Sequence, residues 1–196
     1  MDLLFKMYDD DDPNALINKH TRGIGIEFLG GEAIMNMDVI TYGTEYFINE
    51  VIKRNHIWAT NFRFNISSNG MLYFTDAFQK YLDRFGDFLY LGISMDGLPE
   101  LHDACRVDIN GKGTFDRAFT AYKDWKSRGH EVSTKITSVP ETLPRFYDCC
   151  KFFVDNGITV LNGGPVHEHE WTAEEGAGLY YELKKIADMI LQNPEI

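Results

Sequence analysis

From Gly25 onward, short apolar runs alternate with longer segments of helical period, and most runs end at glycine beside a polar or charged residue. This alternation constrains the fold most, because strands that regularly exchange with helices assemble as βα units around a parallel sheet. The candidate strands are Gly25–Leu29, Phe62–Ser67, Phe88–Ser94, Glu131–Ser138 and Gly157–Asn162. The candidate helices are Met37–Asn55, Thr75–Phe85, Thr114–Arg128, Pro144–Asn156 and Thr172–Leu191. Thr114 is placed to cap its helix, with Asp116 in the first turn, and Gly129 and Gly157 stand where helix-ending glycines belong. Tyr73, Phe74, Phe78, Tyr81 and Phe85 read as core aromatics at mostly helical spacing. The strand ends carry Gly30-Gly31-Glu32, Ser68-Asn69-Gly70, Ser94-Met95-Asp96-Gly97 and Gly163-Gly164-Pro165. In parallel α/β folds ligands bind at the carboxyl ends of strands, so these groups are expected to share one face. Five strands do not close an eight-stranded barrel, which leaves an open sheet or a partial barrel.

Composition narrows the function classes. With 196 residues and 44% hydrophobic content, the chain suits one globular domain or a large piece of one. A formal charge of −11 argues against a general phosphate-binding surface, and so against nucleic acid as a partner, but permits a single nucleotide-like ligand. The three cysteines, Cys105, Cys149 and Cys150, build neither a disulfide framework nor a four-cysteine metal site. The adjacent pair sits in an apolar helical stretch and reads as core. No run of about 18 apolar residues and no signal-peptide pattern is present, so a cytoplasmic protein without a membrane partner is expected. The acidic run from Asp9 to Asp12 lacks calcium-loop spacing and reads as a solvated turn.

Two stretches carry possible chemistry. At Gly30-Gly31-Glu32, bare backbone at a strand end is followed at once by a carboxylate, which suits a ligand bearing an amine. The alternative is a tight strand-to-helix turn opened by an acid. From Leu91 to Phe119, Ser94 offers a hydroxyl, Arg106 a planar cationic fork, and Asp96, His102 and Asp103 lie close in sequence. Taken bare, these residues also fit a hydrogen-bonded loop network.

Together the stretches resemble a known family. Leu29-Gly30-Gly31-Glu32 resembles the GGE motif of radical S-adenosylmethionine (radical SAM) enzymes. Ser94-Met95-Asp96-Gly97, Glu100, His102-Asp103, Arg106, Gly111, Gly113 and Thr114-Phe115-Asp116 resemble a longer signature of its sulfatase-maturating and SPASM-type peptide-modifying members. The resemblance covers Ile24 to Trp171 and implies parallel βα repeats forming part of a radical SAM partial (β/α)6 barrel. It implies that Gly30, Gly31 and Glu32 receive the amino group of S-adenosylmethionine. It implies further that Ser94 and Arg106 contact the ribose and carboxylate, and that Gly163 to Val166 lies along the adenine. A peptide or protein substrate is the implied partner. The division expected is residues 1–23 as an acidic lead-in, 24–171 as the βα core and 172–196 as a terminal helix.

The family also implies a 4Fe-4S cluster held by a CxxxCxxC loop, and this sequence contains no such motif. The expectation is a radical SAM-type domain or fragment without the first strand and cluster loop, inactive by itself, with no catalytic residue identifiable and no metal ligand. A degenerate, non-catalytic module that pairs with a complementing subunit is one alternative. A metal-dependent α/β hydrolase is another, since His167-Glu168-His169-Glu170 offers two histidines at i, i+2.

Overall fold

The alternation of strands and helices is present along the chain. The computed structural model describes residues 1–194 and divides into two units: Met1–Ser67 with Leu72–Tyr90, and Ser68–Met71 with Leu91 onward.

In the first unit, α1 (Asp2–Asp10) precedes β1 (Ile24–Phe28), α2 (Met37–Lys53), β2 (Phe62–Ser68) and α3 (Asp76–Phe85). β1 and β2 are parallel, with Ile24 opposite Phe62 and Phe28 opposite Ile66. The sequence predicts no helix at α1. Its acidic composition masks one anchor, Phe5, which is 1% exposed, stacks on Phe47 at 5.9 Å and lies tilted against Trp58 at 5.7 Å. Asp9 and Asp10 therefore end a helix, and Asp11 turns the chain in the left-handed region at φ 51°. The helix α3 buries Phe78, Tyr81, Leu82 and Phe85 along one side, as amphipathic spacing requires. Tyr81 also shares a 2.9 Å hydrogen bond with Thr44 of α2. Phe74 departs from the expected core and is 54% exposed, while Tyr73 beside it is buried.

The second unit takes in Ser68–Met71 and, from Leu91 within β3 (Leu89–Ser94), continues through α4 (Pro99–Cys105), α5 (Phe115–Ser127), β4 (Val132–Ser138), α6 (Phe146–Asp155), β5 (Val160–Pro165) and α7 (Ala173–Gln192). β3, β4 and β5 are parallel neighbours in that order, with Ser94 opposite Lys135 and Lys135 opposite Asn162. Gly157 closes α6 at φ 75°, and the Ile158 amide donates back to the Phe153 carbonyl at 2.9 Å. That closure delays β5 to Val160, three residues later than its composition suggests. Gly163, Gly164 and Pro165 then lie inside the strand, not beyond it, and Pro165 pairs in register with Ser138. An edge strand accepts a proline there because one side of its ladder is free of hydrogen bonds. The helix α7 opens with a capping box between Thr172 and Glu175. It is pinned to α6 by Glu182, 6% exposed, whose carboxylate accepts the Tyr147 amide at 2.9 Å. Cys149 and Cys150 are buried in α6, in the core as expected.

Candidate functional site

The chain leaves β1 at Phe28, exposes Leu29, and bends through Gly30, Gly31 and Glu32 into a short 3-10 helix, Ala33–Asn36. Glu32 is the cap of that helix, and its Oε1 accepts the Ile34 amide at 3.3 Å. The helix-opening acid read from the sequence is thus present. The glycines ask for a separate explanation. Neither has the left-handed φ that favours glycine, and a Cβ on Gly31 would meet nothing within 4 Å. A Cβ on Gly30 would meet only the Ala33 amide nitrogen, at 4.0 Å. Neither packing nor backbone geometry within this turn demands a residue without a side chain.

The stretch from Ser94 to Phe115 is different, because nearly every residue of the signature is used internally. Asp96, 8% exposed, takes the Arg106 guanidinium through Nε and, at 3.0 Å, Nη2. The same carboxylate accepts the Thr137 amide of β4 at 3.0 Å. His102, 1% exposed, accepts the Asp96 amide on Nδ1 at 3.2 Å. This assigns the ring proton to Nε2, which donates to Thr114 Oγ1 at 3.0 Å, and that hydroxyl donates to the Arg106 carbonyl at 3.1 Å. Burial pushes the His102 pKa below the ordinary imidazole value, so the neutral ring suits its role as acceptor and donor. Thr114 is the residue before α5, but its hydroxyl serves this network and not the helix end. Asp103 takes over as the cap, accepting the Phe115 amide at 2.8 Å. Gly113 makes room for it, since a Cβ there would lie 2.1 Å from the Asp103 Cγ. Glu100 pairs with Arg145 at 2.9 Å on the surface. The α4 helix, Pro99–Cys105, carries His102 and Asp103, in a segment whose sequence pattern predicts a turn and loop.

Ser94 ends β3 half-buried. Val166 follows β5, its amide bonded to the Ser138 carbonyl at 2.9 Å and its carbonyl to Trp171 Nε1 at 2.8 Å. His169 Nε2 lies 3.0 and 3.1 Å from the two oxygens of Glu175, tying the loop to the start of α7. Among the described residues, no group of three His, Cys, Asp or Glu side chains is arranged to hold a metal ion. The cysteines do not fit an iron–sulfur cluster. Cys149 and Cys150 are adjacent and buried, and burial raises both thiols, Cys150 to about 12, whereas cluster ligation requires thiolates. Among the described residues, no helix is long and apolar enough to cross a membrane.

Sequence reading missed the internal use of Asp96, His102 and Asp103 as specific pairs, because it gives no partners. It also passed over Lys135, exposed in the middle of β4. The available signal was the polar alternation Ser133, Lys135, Thr137 in a strand otherwise expected to be apolar.

The fold is α/β, built of parallel βα repeats, and it is similar to that of solved radical SAM chains. No family model and no curated protein matches the sequence. Among solved structures, native anSMEcpe with bound AdoMet, an anaerobic sulfatase-maturating radical SAM enzyme, matches with a TM-score of 0.69 and 18% identity, covering 98% of this chain and 52% of that one. Native anSMEcpe with bound AdoMet and the Kp18Cys peptide matches with a TM-score of 0.68 and 19% identity, covering 89% and 49%. The Cp18Cys peptide complex gives a TM-score of 0.67 and 20% identity, covering 89% and 49%. The chain spans about half the length of the solved chains it matches.

Proposed function

We propose that this chain is a radical SAM-type domain or fragment that binds S-adenosylmethionine, related to enzymes that modify peptides or proteins. The observation that carries the reading is the Gly30-Gly31 pair, which local packing and backbone conformation do not require. It supports a turn kept bare for a ligand. Gly30 and Gly31 let the ligand's amino group approach the backbone, and Glu32 supplies the opposite charge. The Ser94 hydroxyl hydrogen-bonds the ribose, and Val166 borders the adenine. Arg106 acts mainly as a positioning residue, holding the loop after β3 to β4 through Asp96. The similarity to solved chains with bound AdoMet and peptides supports both the ligand and a peptide as substrate class.

This chain's own cysteines do not fit the cluster, and we derive no radical step from them. A second reading is a non-catalytic module that keeps the cofactor cradle. Calorimetry separates binding from its absence. Wild type is expected to bind S-adenosylmethionine, and Glu32→Gln, which retains a cap acceptor and removes the charge, is expected to weaken it by about tenfold or more. Ser94→Ala is expected to cost less. Failure of wild type to bind, or full retention by Glu32→Gln and Ser94→Ala alike, overturns the assignment.

A further inference from the structure

Side chains alternate across a strand, so the register of β3, β4 and β5 sorts them into two faces. Leu91, Ile93, Val132, Ile136 and Leu161 belong to one face, and Ile136 and Leu161 line an apolar cavity against α6 and α7. Ser94, Ser133, Lys135, Thr137, Val160, Asn162 and Gly164 belong to the other. Parallel sheets ordinarily bury apolar residues on both faces, so a polar row with a lysine on the central of these three strands has another use.

Lys135 is exposed and, among the described residues, its ammonium makes no hydrogen bond or ion pair. It borders a groove of about 430 Å³ that also includes Thr137, Asn162, Val166, His167 and Glu168. In a chain of formal charge −11, an ammonium held here without a carboxylate partner is set apart. Its strand neighbours in register are Ser94 on one side and Asn162 on the other, a hydroxyl and an amide that both donate hydrogen bonds. The resemblance implies Arg106 as the partner of the ligand carboxylate, but one edge of that guanidinium, Nε with Nη2, is committed to Asp96.

We propose that Lys135 is the counter-ion for a ligand carboxylate bound on this polar face, with Asn162 as the flanking donor. The carboxylate comes either from the amino-acid part of S-adenosylmethionine, an arm that rests on the function proposed above, or from an acidic side chain of the peptide substrate. The sheet register and the groove support both sources in the same chemical terms.

Calorimetry on the full chain tests this with matched probes: S-adenosylmethionine beside its decarboxylated form, and N-acetyl-Ala-Asp-Ala-amide beside its asparagine analogue. Lys135→Gln is expected to weaken a carboxylate probe about tenfold and leave its uncharged counterpart unchanged, with Lys135→Arg retaining most affinity and the melting temperature unmoved. Loss confined to S-adenosylmethionine assigns the cofactor as source, and loss confined to the aspartyl peptide assigns the substrate. If wild type fails on S-adenosylmethionine but binds the aspartyl peptide through Lys135, the proposed function falls and this inference stands. Equal affinities of wild type and Lys135→Gln for both carboxylate probes overturn it, as does equal loss on both members of a pair, or no binding by wild type of either carboxylate probe.

Discussion

The turn at residues 30–32 and the loop from Ser94 to Phe115 both resemble motifs of one enzyme family, yet the chain uses them in opposite ways. In the loop, Asp96, His102, Asp103, Arg106, Gly113 and Thr114 are tied to one another or to β4 and α5. In the turn, a Cβ would meet nothing within 4 Å at Gly31 and only the Ala33 amide nitrogen, at 4.0 Å, at Gly30. The longer motif therefore carries the architecture of its unit. The shorter one, weaker as a signature, carries more of the functional claim, because a structural requirement does not already explain it.

The largest expected effect breaks the loop's central pair. Asp96→Ala leaves Arg106 without its partner and the Thr137 amide without an acceptor, and should lower unfolding free energy by about 2–3 kcal/mol in urea titrations, with Arg106's partial exposure limiting the loss. Next, Gly113→Ala displaces the Asp103 carboxylate and removes the α5 cap, for about 1–2 kcal/mol by the same assay. If either change is silent, the loop is not the structural element described here.

A smaller effect follows from pH. Burial depresses the pKa of His102 in the folded chain, while the unfolded chain takes up the proton near pH 6.5. Stability from this group is full above that pH and falls as pH drops below it toward the folded value, by at most about 1.4 kcal/mol per unit. His56, whose pKa burial also lowers, adds a slope of the same sign. His102→Gln should therefore flatten the acid limb of the stability profile in part and leave the His56 contribution; an unchanged slope would place the His102 ring outside the network.

The sequence revealed the order of strands and helices because hydrophobic period is a local property, and it placed most element ends within a few residues. It missed α1, where Phe5 alone is buried among acids, and α4, where Pro99 starts a helix inside what looked like a loop. It shifted β5, since Gly163, Gly164 and Pro165 usually break strands and here remain paired to β4. At the candidate site the participating residue types were legible and their partners were not. Whether Arg106 holds a ligand or Asp96 depends on contacts made across 10 or more residues, and periodicity carries no such information.

The smallest structural effect is also the most decisive. Gly31→Val adds a side chain where a Cβ meets nothing within 4 Å, so stability should stay within about 0.5 kcal/mol of wild type. Calorimetric titration of S-adenosylmethionine into wild type and Gly31→Val tests the central claim most directly. Wild type should bind, and the variant should lose at least about tenfold in affinity at unchanged stability. Equal affinity in two equally stable proteins would show that the turn is only a corner of the fold.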